Sequence, residues 1–169
     1  MKFPTIQTTR LTLRQITLED SSAIFSLRSN PEVAVFQDRP LQQNIKQAST
    51  FIDKINTGIE SNTWVFWGIT LQETDELIGT VCLWNFSEGN TRADLGYELL
   101  PSFQGSGYML EALKPVLKYG FAALPLQQID GVTHTKNQRS IQLLKKLEFT
   151  LNPDFADGDE TMYTLKKRS

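Results

Sequence analysis

Residues 99–110 read Leu-Leu-Pro-Ser-Phe-Gln-Gly-Ser-Gly-Tyr-Met-Leu, a stretch that passes from a strand through a glycine-containing turn into a helix. This arrangement directs several free backbone N–H groups and the positive end of a helix dipole at one point. Gly105 and Gly107 allow the backbone to approach an anion such as a diphosphate, because they carry no Cβ. Pro101 cannot donate a hydrogen bond to a neighbouring strand. The stretch therefore predicts an anion-binding loop beside an opening in a β-sheet.

Two common phosphate-binding patterns do not fit this loop. The sequence contains no Gly-x-x-x-x-Gly-Lys-Ser/Thr string, and the dinucleotide pattern G-x-G-x-x-G fails because its last position is Leu110. The loop also follows three strand-like runs joined by short turns, which is typical of an antiparallel meander. These runs are residues 63–71, 77–86 and 92–100. A nucleotide-binding protein stays an alternative, favoured only if NAD or ATP is the preferred ligand.

The rest of the chain predicts an α/β fold. Apolar residues spaced by three and four, with N-cap residues before them, predict helices, and β-branched or alternating runs predict strands. The predicted helices cover residues 17–29, 41–59, 110–124 and 137–147, and the further strands cover 10–14, 128–133 and 161–165. This order predicts a mixed, mostly antiparallel central sheet that separates after Leu100 and carries helices on both faces.

The composition indicates one soluble domain over residues 1–169. Apolar residues make up 40%, charged residues 21%, and the formal net charge is −2, which does not favour a nucleic-acid or membrane-surface binder. Cys82 and His134 are the only cysteine and histidine, so the chain can form neither an intramolecular disulfide nor a His/Cys zinc site. No signal peptide or membrane-spanning run is visible. We expect a cytoplasmic protein that binds no metal, no nucleic acid and no membrane.

Charge is unevenly distributed along the chain. Residues 60–101 carry one arginine and seven acidic residues, whereas the segments on either side have a small excess of positive charge. One interpretation is that these are ordinary solvated faces. The other is that the acidic middle faces a cationic substrate while the later basic part holds an anion.

The segments 93–101, 104–108 and 111–112 resemble the acetyl-CoA motif of the GNAT acetyltransferases. They read Ala-Asp-Leu-Gly-Tyr-Glu-Leu-Leu-Pro, Gln-Gly-Ser-Gly-Tyr and Glu-Ala. More narrowly, the chain is similar to the branch that includes bacterial ribosomal-protein N-terminal acetyltransferases. The other matching segments are 8–14, 19–20, 30–33, 77–79, 137–140, 146–147 and Phe149. The resemblance covers nearly the whole chain and implies a GNAT fold that moves an acetyl group from acetyl-CoA to a primary amine.

The resemblance also implies which residues hold the cosubstrate. Backbone groups around Leu99 would bind the pantetheine arm like an added strand, and Asn137 would bind it near the thioester. Backbone amides of the loop would hold the pyrophosphate. The predicted cofactor-binding residues are Leu99, Gln104, Gly105, Ser106, Gly107, Tyr108, Met109 and Asn137. The candidates for neutralising the outer phosphates are Lys136, Arg139, Lys145 and Lys146.

Acetyl transfer needs a base for the amine and a proton for the departing thiolate. We predict that Glu98 is the base, directly or through water, because it shares a strand face with Asp94 and lies closer to the splayed end of the sheet. Asp94, Asp130 and Glu111 are alternative bases. The alternative role for Glu98 is that of an exposed strand carboxylate.

Ser140 is the candidate acid. Many GNAT enzymes use a tyrosine on the final helix, where this chain has Leu144, and the branch that it resembles uses the serine that corresponds to Ser140. Ser140 also lies three residues after the expected N-cap Asn137, so stabilising the first helical turn is its alternative role. His134 lies just upstream, and for it we expect a structural role.

Three residues depart from the pattern of the family. Met109 stands where a small residue is usual and narrows the space beside the pyrophosphate. Pro115 lies inside a predicted helix and is expected to kink it. Glu148 replaces the glycine before Phe149, so that helix is expected to end without a left-handed cap. These departures indicate a diverged member.

The resemblance to the ribosomal-protein branch implies that the acceptor is a protein N-terminus. The acidic middle segment instead favours a small cationic amine such as a polyamine or aminoglycoside. We expect direct transfer in a ternary complex. A non-catalytic acyl-CoA-binding module is the alternative to an enzyme, and it would bind without turnover. The sequence is compatible with a homodimer.

Overall fold

The computed structural model describes residues 2–168, which form one eight-stranded sheet and five α-helices. The strands are β1 (Ile6–Gln7), β2 (Leu11–Arg14), β3 (Val65–Leu71), β4 (Leu77–Trp84), β5 (Arg92–Leu99), β6 (Gln128–His134), β7 (Thr150–Leu151) and β8 (Glu160–Lys166). Their order is β1-β2-β3-β4-β5-β6-β8-β7, and among the described pairs only β5–β6 is parallel. The predicted α/β class with a mostly antiparallel sheet is confirmed. The two-residue strands β1 and β7 were not predicted, because they are too short to show a period.

The helices are α1 (Ser21–Arg28), α2 (Pro31–Ala34), α3 (Ile45–Glu60), α4 (Tyr108–Ala123) and α5 (Gln138–Lys146). The side chain of Asn30 accepts a hydrogen bond from the Glu32 backbone N–H at 2.9 Å, so the segment that ends α1 also starts α2. Asn44 caps α3 in the same way, and Leu41 therefore lies in the loop before the helix rather than in its first turn. None of the described helices is long and apolar enough to cross a membrane.

Successive residues of β3 show that helices cover both faces of the sheet. Phe66 packs in a cluster with residues of α1 and α3, whereas Trp67 packs in a cluster with residues of α4 and α5. Side chains alternate along paired strands, so the register places Glu98 on the first face and Tyr97 on the second. The predicted helices on both faces are confirmed.

The sheet opens between β5 and β6. The two strands pair only from Arg92–Asp94 to Gln128–Asp130, and beyond this point β5 stays paired with β4 while β6 stays paired with β8. The separation thus begins after Asp94, earlier than the predicted point after Leu100. Tyr97, Glu98 and Leu99 consequently line the opening instead of preceding it.

Two of the departures from the family pattern, Pro115 and Glu148, concern the backbone of α4 and the end of α5. α4 continues as one helix through Pro115. The expectation that α5 ends without a left-handed cap is wrong, because Glu148 itself adopts the left-handed conformation with φ = 70°. This conformation lets the Phe149 N–H donate to the Leu144 carbonyl at 3.0 Å. A glutamate therefore does what glycine usually does, at a cost in backbone strain.

Candidate active site

A cavity of about 680 Å³ lies where β5 and β6 separate. Residues of β5, the loop before α4, α4, α5 and the segment around α2 line it. It brings together all but one of the predicted site residues: Glu98, Leu99, Gln104, Gly105, Gly107, Tyr108, Met109, Asn137 and Ser140. The exception is Ser106, which does not line the cavity.

The loop before α4 has the conformation that its glycines allow. Gly105 and Gly107 have φ values of +85° and +80°, and Gly107 is the N-cap of α4. A Cβ on Gly105 would meet nothing closer than an Arg139 side-chain nitrogen at 3.9 Å, so backbone conformation rather than crowding requires this glycine. Residues of the first turn of this 16-residue helix line the cavity, and the free N–H groups of a helix N-terminus suit a diphosphate.

Arg10 holds this loop from outside. Its Nη1 donates to the Ser106 carbonyl at 3.0 Å, its Nε donates to Glu111 at 2.7 Å, and its guanidinium lies 4.1 Å from the centre of the Tyr108 ring. Thr8 also donates to Glu111, at 2.5 Å. Burial alone raises the pKa of Glu111, but the hydrogen bonds from Thr8 and Arg10 bring it below its ordinary value. The sequence did not predict these contacts of Thr8 and Arg10 with the loop and Glu111, although both residues lie in a segment that matches the family.

Gln104 and Asn137 have internal partners beside the cavity. Gln104 Nε2 donates to the Leu99 carbonyl at 3.0 Å, and the second lone pair of that oxygen can still accept. Asn137 Oδ1 accepts from the Ser140 N–H at 3.3 Å and so caps α5. The amide Nδ2 is therefore the part of Asn137 that is suited to bind a ligand.

Among the four carboxylates considered as bases, Glu98 lines the cavity and the other three do not. Asp94 and Asp130 share Arg92, whose Nε donates to Asp130 at 2.5 Å and whose Nη2 donates to Asp94. Glu111 is held by Arg10. These three carboxylates are therefore engaged in ion pairs and do not line the cavity.

Glu98 is itself held by two arginines. Arg39 Nε donates to Glu98 Oε1 at 3.0 Å, and Arg28 Nη1 lies 3.6 Å from the same oxygen. Glu98 Oε2 is buried and has no hydrogen-bond partner within residues 2–168. Burial lowers the pKa of Arg28, which lies 4.0 Å above the Phe51 ring, although the charge of Glu98 opposes that shift. The acidic middle segment therefore contributes a neutralised carboxylate to the cavity instead of free negative charge.

The hydroxyl groups of Tyr97 and Ser140 are hydrogen-bonded across the opening. Burial raises the pKa of Tyr97 to about 12, so its phenol stays protonated at neutral pH even though the hydrogen bond to Ser140 opposes the shift. Ser140 is only 8% exposed. Tyr97 lies in the segment 93–101 that resembles the family motif, but the sequence-based prediction assigned it no role.

His134 lies outside the cavity lining and supports a turn. Its Nδ1 accepts from the Lys136 N–H at 3.0 Å, and its ring packs against Phe36 with 5.1 Å between centroids. Met109 lines the cavity but is 7% exposed and packs in the main core. Its bulk is therefore directed largely into the core.

Comparison with known proteins agrees with this geometry. Residues 10–150 match the family model described as "Acetyltransferase (GNAT) domain". The chain is 37% identical over 147 residues to the uncharacterized N-acetyltransferase YoaA of Bacillus subtilis (strain 168), covering 87% of this chain and 83% of that protein. It is 36% identical over 146 residues to the uncharacterized N-acetyltransferase p20 of Bacillus licheniformis, covering 86% and 82%.

A solved structure shows the same fold at lower identity. RimL, a ribosomal alpha-N-protein acetyltransferase solved in complex with coenzyme A, superposes with a TM-score of 0.84 at 20% identity, covering 96% of this chain and 98% of RimL. From the family match and the two Bacillus relatives, the chain belongs to the GNAT acetyltransferase family and is an N-acetyltransferase that uses acetyl-CoA.

Proposed function

We propose that this enzyme transfers the acetyl group of acetyl-CoA directly to a primary amine while both substrates are bound. One observation carries the proposal: a single cavity holds the glycine loop, the Glu98 carboxylate from one face of the sheet and the Ser140 hydroxyl from the other. A continuous sheet would keep two substrates on its two faces apart. At the opening between β5 and β6 they can meet, so the amine can attack without a covalent enzyme intermediate.

The α4 and α5 side of the cavity suits acetyl-CoA. The positive φ values of Gly105 and Gly107 support binding of the pyrophosphate by loop amides, and the unpaired edge of β5 at Leu99 supports binding of the pantetheine amides. Asn137 Nδ2 can donate to the same arm. Arg139 and Lys146 line the cavity and are the better candidates for the outer phosphates, because Lys136 and Lys145 do not.

Glu98 and Ser140 would carry the proton transfers. The buried Oε2 of Glu98 has no partner in the described chain, and it would accept the amine proton directly or through water. As the new C–N bond forms and the thioester C–S bond breaks, Ser140 would protonate the departing sulfur. Arg28 and Arg39 would keep the carboxylate of Glu98 in place.

For the acceptor we favour the terminal amine of a polypeptide. The cavity that Glu98 lines also includes the apolar side chains of Val33, Val35 and Phe36, which suit an uncharged first residue. The name of RimL, a ribosomal alpha-N-protein acetyltransferase, supports the same acceptor class. A polyamine or aminoglycoside is the second candidate, and the acidic composition of residues 60–101 favours it. The ion pairs of Asp94 and Glu98 weaken that second argument.

Calorimetric titration followed by an amine screen tests the proposal. We expect micromolar binding of acetyl-CoA and CoA, no comparable binding of NAD or ATP, and thiol release with peptides that have a free N-terminus. Peptides with a blocked N-terminus are the matched control. Binding without turnover would favour the non-catalytic acyl-CoA-binding module, and preference for spermidine-like amines would favour the second acceptor class.

The proposal also bears on the cellular compartment and the oligomeric state of the enzyme. We expect the enzyme to work in the cytoplasm, where its polypeptide acceptors are made and Cys82 stays reduced. Burial raises the pKa of the Cys82 thiol to about 12, so this thiol is not expected to attack the thioester. A homodimer is compatible with the proposal and can be tested by sedimentation.

A further inference from the structure

We propose that Tyr97 is a positioning residue that supplies the departing sulfur with a proton through Ser140. This inference rests on the proposed acetyl transfer and extends it beyond the two predicted proton-transfer residues. The juxtaposition that carries it is the hydrogen bond between the Tyr97 and Ser140 hydroxyls, both of which line the cavity.

The fold brings these two groups together because the sheet opens. Tyr97 lies beyond Asp94, the last residue of β5 that pairs with β6, and it projects towards the face that carries α4 and α5. Ser140 lies in the first turn of α5, where its backbone N–H is fixed by Asn137. The hydrogen bond between the two side chains thus bridges the gap at the point where backbone pairing has stopped.

The direction of this hydrogen bond follows from acidity. A phenol is a stronger acid than an aliphatic alcohol even where burial raises its pKa, so Tyr97 is the better donor of the two hydroxyls, and it stays protonated at neutral pH. If Tyr97 Oη donates to Ser140 Oγ, the serine proton is free to point into the cavity. Donation to Oγ also polarises the serine hydroxyl and strengthens the bond that it donates in turn.

The relay balances the reaction. The amine nitrogen bonds to the acetyl carbon, the C–S bond breaks, and the electron pair of that bond goes to sulfur. Sulfur takes the proton of Ser140 Oγ, Ser140 takes the proton of Tyr97 Oη, and the phenolate takes a proton from water. Glu98, or water beside it, takes the proton that the amine loses and releases it to the solvent, where it neutralises the hydroxide left when water reprotonates Tyr97. No free serine alkoxide forms, which removes the main weakness of serine as an acid.

The test compares Tyr97→Phe, Ser140→Ala and the double variant. Tyr97→Phe keeps the ring and removes only the hydroxyl, and we expect kcat to fall by about 10- to 100-fold. The dissociation constant of acetyl-CoA should change by less than about twofold, because the phenol binds no cosubstrate atom in this scheme. The double variant should be no slower than Ser140→Ala alone, because both substitutions interrupt one relay.

A second readout separates proton supply from packing. Acetyl thioesters of more acidic thiols need less protonation at sulfur, so they should restore most of the rate of Tyr97→Phe. Tyr163→Phe is the matched control: Tyr163 is buried at 7% exposure in the same core but does not line the cavity, and its rate should stay at the wild-type value.

The outcomes are distinct. A wild-type enzyme that releases no thiol with any amine would refute the proposed function. Wild-type turnover would refute the relay alone if Tyr97→Phe kept full kcat, if its loss multiplied with that of Ser140→Ala, or if acidic leaving groups failed to restore its rate.

Discussion

Substitution of Glu98 by glutamine should destabilise the protein measurably, because it leaves two guanidinium groups without their counter-charge. The side chains of Glu98, Arg28 and Arg39 are only 11%, 19% and 13% exposed. Breaking a buried ion pair costs about 3–5 kcal/mol. Since these groups retain some contact with solvent and glutamine can still accept one hydrogen bond, we expect a loss of about 2–3 kcal/mol. For a chain of this size that corresponds to a fall in Tm of roughly 4–12 °C.

Urea and thermal unfolding of Glu98→Gln, Arg39→Met and the double variant measure this effect. The double variant should lose about 1–2 kcal/mol less unfolding free energy than the two single variants lose together. The reason is that Arg39→Met also removes a charge that Glu98→Gln leaves unpaired. Glu32→Gln is the matched control, since Glu32 lines the same cavity but is exposed, and it should stay within about 0.5 kcal/mol of the wild type.

The reasoning would be refuted if Glu98→Gln unfolded within about 0.5 kcal/mol of the wild type, or if the two single losses simply added. Such a result would mean that solvent rather than Glu98 compensates the two arginines. Activity must be compared well below the unfolding midpoint, so that a lost base is distinguished from a lost fold. There, a fall in kcat with unchanged acetyl-CoA binding supports the role of Glu98 as base.

Three further predictions concern the loop and the end of α5. Arg10→Met removes the hydrogen bond to the Ser106 carbonyl, so calorimetry should show acetyl-CoA binding weakened by about 3- to 10-fold; unchanged affinity would show that the loop holds its shape alone. Because the pKa of Glu111 is lower in the folded than in the unfolded chain, its stabilisation is present above the unfolded value and lost as pH falls through the folded one. Urea titrations should therefore show a smaller acid-induced loss in Glu111→Gln than in the wild type. Glu148→Gly relieves a left-handed glutamate and gives up an exposed ion pair with Arg168, so stability should rise by about 0.5–1 kcal/mol; a decrease would show that the ion pair outweighs the strain.

The sequence predicted the elements that have a local cause. Runs rich in β-branched and aromatic residues, bounded by polar turns, predicted the meander strands, and apolar residues spaced by three and four predicted the long helices, because these signals lie within a few residues of one another. The loop of residues 99–110 was predicted for the same reason, since the positive φ values need glycine at positions 105 and 107. Glu148 shows the limit of this reasoning, because the surrounding contacts forced a non-glycine residue into a left-handed conformation.

The sequence predicted which residues form the candidate site but not which side chains these residues contact. Glu98 and Ser140 could be proposed from strand order and from the family resemblance, and the structure brings both to one cavity. Nothing in the sequence pairs Arg39 with Glu98, 59 residues apart, or Tyr97 with Ser140, 43 residues apart. The acidic run of residues 60–101 suggested free negative charge, and the fold instead paired Asp94 and Glu98 with arginines.

The sequence by itself determined the α/β class, the glycine loop at a helix N-terminus and the chemistry available to the site, because backbone conformation and residue type are local properties. Only the tertiary structure decided where the sheet opens, which carboxylate lines the cavity and which hydroxyl is hydrogen-bonded to Ser140. These depend on which partner each strand keeps and on contacts between distant segments. Side-chain alternation places Tyr97 and Glu98 on opposite faces of the sheet, and the opening after Asp94 lets both line one cavity; their proposed division of proton transfer follows from that placement.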